Sequence, residues 1–223
     1  IEKLGDKYVK GEILYNIGIL YNHKGDYDNA LDYLEHSLRI REEFDNKSGI
    51  MYTLMGIGVI RTMYDNKYKL NKSLNYLTRS LKMANEINSR SGLVFSLQNL
   101  GNIYYFKGEY NKAAESLEKS LSLQKESGMN QIKLETTITL YIIYKKLGKT
   151  YDIKEIHSLM KQTDNIKFDT NYELYQLLED ATYLETSYNQ LKEMAEEMEA
   201  NLKSKFLSYP VPKEILEEWK KNN

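Results

Sequence analysis

The 223 residues carry 31 Lys and Arg against 32 Asp and Glu, with the two signs interspersed, so no broad charged field draws in nucleic acid or an anionic membrane. Cysteine is absent, which removes disulfides, thiolate nucleophiles and Cys-based zinc sites, and no apolar run approaches the roughly 18 residues of a membrane span. At 41% hydrophobic and 28% charged residues, the composition fits a cytoplasmic chain that buries a core or stacks several small units.

Both prolines, Pro210 and Pro212, lie near the C-terminus, so residues 1–209 are free of the strongest helix breaker. Strand signals are scarce and apolar residues recur at spacings of three and four, which predicts an all-α chain. Taken in order, residues 1–10 read as the tail of a helix preceding the first repeat unit, because Leu4 stands ten residues before Leu14, as Phe44 does before Leu54 and Ile87 before Leu97. With no initiator Met, this predicts a fragment of a longer protein that has at least one more repeat upstream.

The stretch LYNIGILYNHKGDYDNALDYLEHSLRI at 14–40 is the same unit as LQNLGNIYYFKGEYNKAAESLEKSLSL at 97–123. Another copy starts at Leu54, with three extra residues in its turn around 65–68, and a degenerate one starts at Thr137. The marker position advances from Gly18 to Gly58, Gly101 and Tyr141, in steps of 40, 43 and 40. That period predicts a solenoid of helix pairs with units 11–50, 51–92, 93–132 and 133–165.

Gly inside a helix costs roughly 1 kcal/mol relative to Ala, so Gly18, Gly58 and Gly101 are expected to be packing notches. Ala30, Ser73 and Ala113 are the small residues of the facing helix, and Tyr21 and Tyr104 fill the space beside the notch. Gly25 and Gly108 end one helix at a left-handed cap, and Asp26 and Glu109 help open the next. Residues 166–208 predict a short helix, NYELYQLLED, and then one long amphipathic helix, ATYLETSYNQLKEMAEEMEANLKSKFL, that caps the stack. Residues 209–223 turn at the prolines into a short last helix whose Ile215, Leu216 and Trp219 form an apolar stripe.

The pattern L-x-x-[IL]-G-x-x-Y-x-x-x-G-[DE]-Y-x-x-A-x-x-x-L-x-x-S resembles the tetratricopeptide repeat over residues 11 to 162, and the 40-residue step is similar to kinesin light chains and Leu-Gly-Asn-type adaptors. The stretch 183–219 resembles the end of repeat regions in multidomain bacterial signalling proteins. The resemblance implies a right-handed superhelical solenoid of antiparallel helix pairs with a C-terminal capping helix. It also implies a concave groove lined by fixed positions of each first helix: Tyr15, Asn16, Ile19 and Asn22; Tyr52, Met55 and Val59; Phe95, Gln98, Asn99, Asn102, Tyr105 and Phe106; Ile138, Ile142 and Lys145. Asn16 and Asn99 match the family's backbone-clamping asparagine, whose amide can pair with both N–H and C=O of a bound peptide. The lysine clamp by which chaperone-binding repeats hold a terminal carboxylate is missing, since Tyr15 and Ile19 stand in its place.

No enzymatic chemistry is expected. His23, His36 and His157 sit in separate repeats outside any ligand spacing, Gly56-Ile-Gly58 lacks the strand and third glycine of a dinucleotide site, and acidic runs such as MAEEME read as solvated helix faces. The sequence therefore predicts a protein-interaction scaffold without metal or cofactor, the regulatory part of a larger signalling protein, binding a peptide or partner domain in the groove. The alternative is a self-association module that dimerises its parent through the helix around Leu191 and Leu202 and the Trp219 stripe. The chain's own C-terminal segment is a further candidate occupant of the groove.

Overall fold

The computed structural model describes residues 2–64, 70–129 and 132–222. Among these there are twelve α-helices and no strand: α1 Glu2–His23, α2 Tyr27–Glu43, α3 Lys47–Tyr64, α4 Leu70–Glu86, α5 Arg90–Phe106, α6 Tyr110–Ser127, α7 Lys133–Leu147, α8 Ile153–Met160, α9 Phe168–Leu178, α10 Ala181–Glu196, α11 Ala200–Ser208 and α12 Pro210–Asn222. The chain forms two compact units, residues 1–103 and 104–223, with the boundary inside α5. The three-residue insertion expected around 65–68 lies outside the described residues.

In the N-terminal unit α1 pairs with α2, α3 pairs with α4, and α2 also packs on α3. The glycine notches explain the close pairing. A methyl group on Gly18 would lie 2.7 Å from Leu34 Cγ and 3.1 Å from the Ala30 carbonyl oxygen, and one on Gly58 would lie 2.6 Å from Leu77 Cγ. Ala30, Leu34, Ser73 and Leu77 are all fully buried. Gly101 is buried in α5.

A recurring hydrogen bond fixes the register of each pair. The Ser37 hydroxyl donates to the Gly11 carbonyl at 2.7 Å, and the Ser80 hydroxyl donates to the Met51 carbonyl, forty positions on from Gly11, at 3.0 Å. The repeat-position serines thus bond to buried carbonyls at equivalent repeat positions of the partner helix. After α1 the chain turns at Gly25, φ 72°, and the Asp26 carboxylate caps α2 by accepting from Asn29 N. Glu109 makes no such cap for α6; its longer side chain pairs instead with Lys107 and Lys112.

Residues 2–10 differ from the sequence expectation. They continue without a break into the first repeat's leading helix, as the opening turns of α1.

The C-terminal unit is organised around α7. Leu134 and residues 136–143 are all buried, enclosed by Ala113, Ala114 and Leu117 of α6, Ile156 and Leu159 of α8, and Leu174 and Leu177 of α9. Tyr141, which replaces the marker glycine, is itself buried and donates its hydroxyl to Glu155 of the short α8. α9 and α10 form the next pair, tied by Ser187 Oγ donating to the Phe168 carbonyl at 2.6 Å and by Asn171 Nδ2 donating to Gln190 Oε1 at 3.0 Å.

The single long helix expected after Ala181 is divided into α10 and α11 at residues 197–199. Glu193, Glu196, Glu197 and Glu199 crowd like charges at the end of α10, where the helix dipole also disfavours them. The break lets Phe206 of α11 pack edge-on against Phe168, with ring centroids 6.3 Å apart. Pro210 opens α12 at the first helical position, where its missing N–H costs nothing. Two residues of the expected apolar stripe pack within the unit: Ile215 is fully buried, and Trp219 stacks on Tyr188 of α10 at 4.5 Å. Leu191 of α10 is fully buried as well, while Leu202 and Leu216 are half-buried.

Candidate functional site

The leading helices of the N-terminal unit bring several predicted residues to one place. α1 lies against α3, and α3 reaches α5 through a 3.2 Å hydrogen bond between the hydroxyls of Tyr52 and Ser91. A cleft of about 370 Å³ is lined by Glu12, Tyr15 and Asn16 of α1, Arg41 of α2, Asn46 just before α3, and Gly49 and Tyr52 in the opening turns of α3. Asn16 is exposed, while Tyr15 and Tyr52 are half-buried.

The Arg41 guanidinium carbon stands 4.8 Å from the centre of the Tyr15 ring, a cation–π distance. Burial pushes the Tyr15 hydroxyl above its ordinary range, with Arg41 opposing the shift and Tyr52 adding to it. Burial in turn pulls Arg41 below the usual guanidinium range, which leaves it charged at neutral pH because an arginine starts so high.

The remaining predicted positions of this unit differ among themselves. Ile19, Asn22, Met55, Val59, Phe95, Asn99 and Asn102 are half-buried, and Gln98 is 8% exposed. The Asn99 side-chain nitrogen donates to the Phe95 carbonyl of its own helix at 2.8 Å, so this asparagine does not present both amide groups to a ligand. The side-chain oxygens of Asn22 and Asn102 are buried without a hydrogen-bond partner, a costly arrangement that a ligand N–H would relieve.

In the C-terminal unit the transferred positions fall apart. Phe106 is exposed and Tyr105 half-buried, their rings 5.5 Å apart. Burial pushes the Tyr105 hydroxyl up, and the carboxylates of Glu173 and Glu214 reinforce the shift. Ile138 is fully buried and Ile142 is 4% exposed, so both belong to the core around α7 and line no surface. The reason is tertiary: α9 packs on α7 and covers the side that the earlier repeats leave open. Lys145 is engaged within the unit, donating to the Glu179 carboxylate and the Leu177 carbonyl.

An acidic group in this unit makes a pH-dependent prediction. Glu173, with Glu135 and Asp169 nearby, accepts from the Thr139 hydroxyl at 3.2 Å, and burial pushes its carboxyl up to about 8 from 4.5. The folded state therefore holds this proton more tightly than the unfolded chain. The associated stability is fully present below about pH 4.5 and is lost as pH rises toward 8. Glu173→Gln is expected to match the parent near pH 4.5 and to exceed it at pH 8 by on the order of 4 kcal/mol, read by urea unfolding at both pH values.

Sequence reasoning did not single out Arg41. The available signal was an arginine in the last turn of a helix; in space it lies beside Gly49, whose lack of a side chain makes room for it. Among the described residues no helix is long and apolar enough to cross a membrane, and no three His, Asp or Glu side chains gather as a metal site would need.

Residues 11–44 and 94–127 each match the tetratricopeptide repeat. The fold is shared with solved helical-repeat structures. The apo form of RapI superposes with a TM-score of 0.69 at 16% identity, covering 95% of this chain and 85% of RapI. A Rap protein complexed with Competence and Sporulation Factor gives 0.62 at 16% identity, over 97% of this chain and 66% of that one. A putative kinesin light chain with TPR-like repeats from Podosopora anserina gives 0.53 at 14% identity, over 93% and 95% of the two chains. No curated protein matches the sequence. Two tetratricopeptide-repeat units thus lie within an all-α fold of helix pairs.

Proposed function

We propose that the chain is a protein-interaction module that binds an extended segment of a partner protein on the leading-helix face of its N-terminal unit. The observation that carries this reading is the cleft where Tyr15, Asn16 and Tyr52 converge from two successive repeats. Two half-buried aromatics offer apolar contact, and an exposed asparagine offers both a donor and an acceptor to a peptide backbone. The presence of Competence and Sporulation Factor on a Rap protein of the same fold supports ligand binding as a use of this architecture. A regulatory place in a larger cytoplasmic signalling protein belongs to the same reading and rests on the likeness of residues 183–219 to repeat regions of such proteins.

The test is a peptide library displayed on phage, selected against the full chain, with the best binder synthesised and titrated by calorimetry. Asn16→Ala and Tyr52→Ala are each expected to weaken that peptide about tenfold or more with the circular dichroism unchanged. Glu115→Ala, which breaks only an exposed ion pair with Lys119 on α6, is expected to change nothing. Recovery of no peptide, or a peptide indifferent to both cleft substitutions, overturns the proposal.

A further inference from the structure

We infer that Arg41 anchors a carboxylate-binding site in the α1–α3 cleft, so that the segment held on this face carries an acidic group at that point. The inference deepens the binding reading above and rests on it.

Arg41 is 7% exposed. Its stem passes the backbones of α1 at Gly11 and α3 at Gly49, and the missing side chain of Gly49 is what gives it room. A methyl group on Gly11 would lie 3.4 Å from Arg41 Cγ, and one on Gly49 would lie 2.8 Å from Cδ and 2.9 Å from Nε. One end of the fork is fixed, since Nη1 donates to the Gly49 carbonyl at 2.8 Å and to Thr53 Oγ1 at 2.9 Å. Nε is buried with no partner.

Two other arginines of this unit meet carboxylates. Arg61 meets Glu35 at 2.7 Å and Arg79 meets Glu42 at 2.8 Å. Arg41, more buried than either, bonds only to neutral oxygens among the described residues. A buried charge without a counter-charge is costly, and removing that cost is worth more than forming another surface pair. The planar guanidinium is held by its bonds to α3 and by the Tyr15 ring, in a geometry suited to a carboxylate.

The cleft admits a side chain or a chain terminus rather than a folded domain. Tyr15 and Ile19 occupy the positions of the lysine clamp, so the anchor comes from the trailing helix α2 instead. Glu12, exposed at the same cleft, is the carboxylate among its described lining residues that is placed to compete.

The experiment follows the Arg41 Nε–H resonance in nitrogen–proton correlation spectra of the full chain, assigned by its disappearance in Arg41→Lys. Three probes are titrated: acetyl-glutamate N-methylamide, with only a side-chain carboxylate; acetyl-alanine, with only a terminal one; and acetyl-glutamine N-methylamide, with none. A saturable shift with either acid and none with the glutamine probe supports the site, and whichever acid binds identifies the source of the carboxylate. Glu12→Gln is expected to tighten the effective acid about threefold by removing the competitor, an effect of the size typical for one exposed charge. In the phage-selected peptide, replacing its acidic residue with the amide, or blocking its terminus, is expected to weaken binding about tenfold or more on the unaltered protein. Equal shifts with all three probes, or none with any, overturn the inference. A selected peptide that binds the cleft yet ignores loss of its carboxylate overturns the inference while leaving the binding reading standing. Failure to select any peptide removes the binding reading itself, and the inference falls with it.

Discussion

Replacing Ile138 with alanine is expected to destabilise the C-terminal unit by about 3–4 kcal/mol and to leave peptide binding at the N-terminal cleft untouched. Ile138 has no exposed surface and sits among the apolar side chains that join α6, α7, α8 and α9. Three carbons would be removed from a site that its neighbours cannot refill without moving helices, and such deletions cost about 2–5 kcal/mol. Urea unfolding followed by circular dichroism measures the effect. The experiment also separates two assignments for this residue, because a groove-lining isoleucine would lose affinity and keep stability. A change below about 1 kcal/mol would place Ile138 outside the core.

Gly58→Val is expected to destabilise the N-terminal unit by about 3 kcal/mol. Glycine to a residue with a side chain in an unobstructed helix position is favourable by up to about 1 kcal/mol. At this position the first added carbon would lie 2.6 Å from Leu77 Cγ, and the helices must separate or Leu77 must leave its rotamer. Gly56→Ala is the internal control. Its added carbon would meet Leu34 Cδ1 at 3.4 Å, an ordinary contact, so neutrality or a small gain is expected. Pairing Gly58→Val with Leu77→Ala should recover more than about 1 kcal/mol relative to the sum of the two single losses, because the cavity of one receives the excess volume of the other. Strict additivity would show that Gly58 is not kept small by Leu77.

The notches were legible in the sequence because their cause is local and repeated. Gly18 and Gly58 recur at a fixed step beside Ala30 and Ser73, and the structure places Leu34 and Leu77 against them. Tyr15, Asn16 and Tyr52 were legible for the same reason, as surface positions of successive units that come together at one cleft. Ile138 and Ile142 were not. Their positions were transferred from repeats whose leading helix has an open side, whereas α9 covers α7. The apolar run TITLYIIY, hydrophobic on every face, was the available sign of that burial. The division between α10 and α11 was hidden by a hydrophobic period that runs through it. Arg41 was hidden because its burial depends on a glycine of another helix, Gly49, whose side-chain place its stem occupies.

The enclosure of α7 on three sides has a consequence for how such a chain can change length. An array of equivalent pairs gains or loses one pair by joining the neighbours on either side, since each pair presents the same surfaces fore and aft. The fourth pair here offers no such seam. Tyr141 fills the place of the glycine, α8 is only eight residues long, and one leading helix supplies the contacts of three others. Excising it would strip α6 and α9 of their common partner at once. The modular part of this protein therefore ends before α7, and everything beyond it must be inherited, or transplanted, as a single piece.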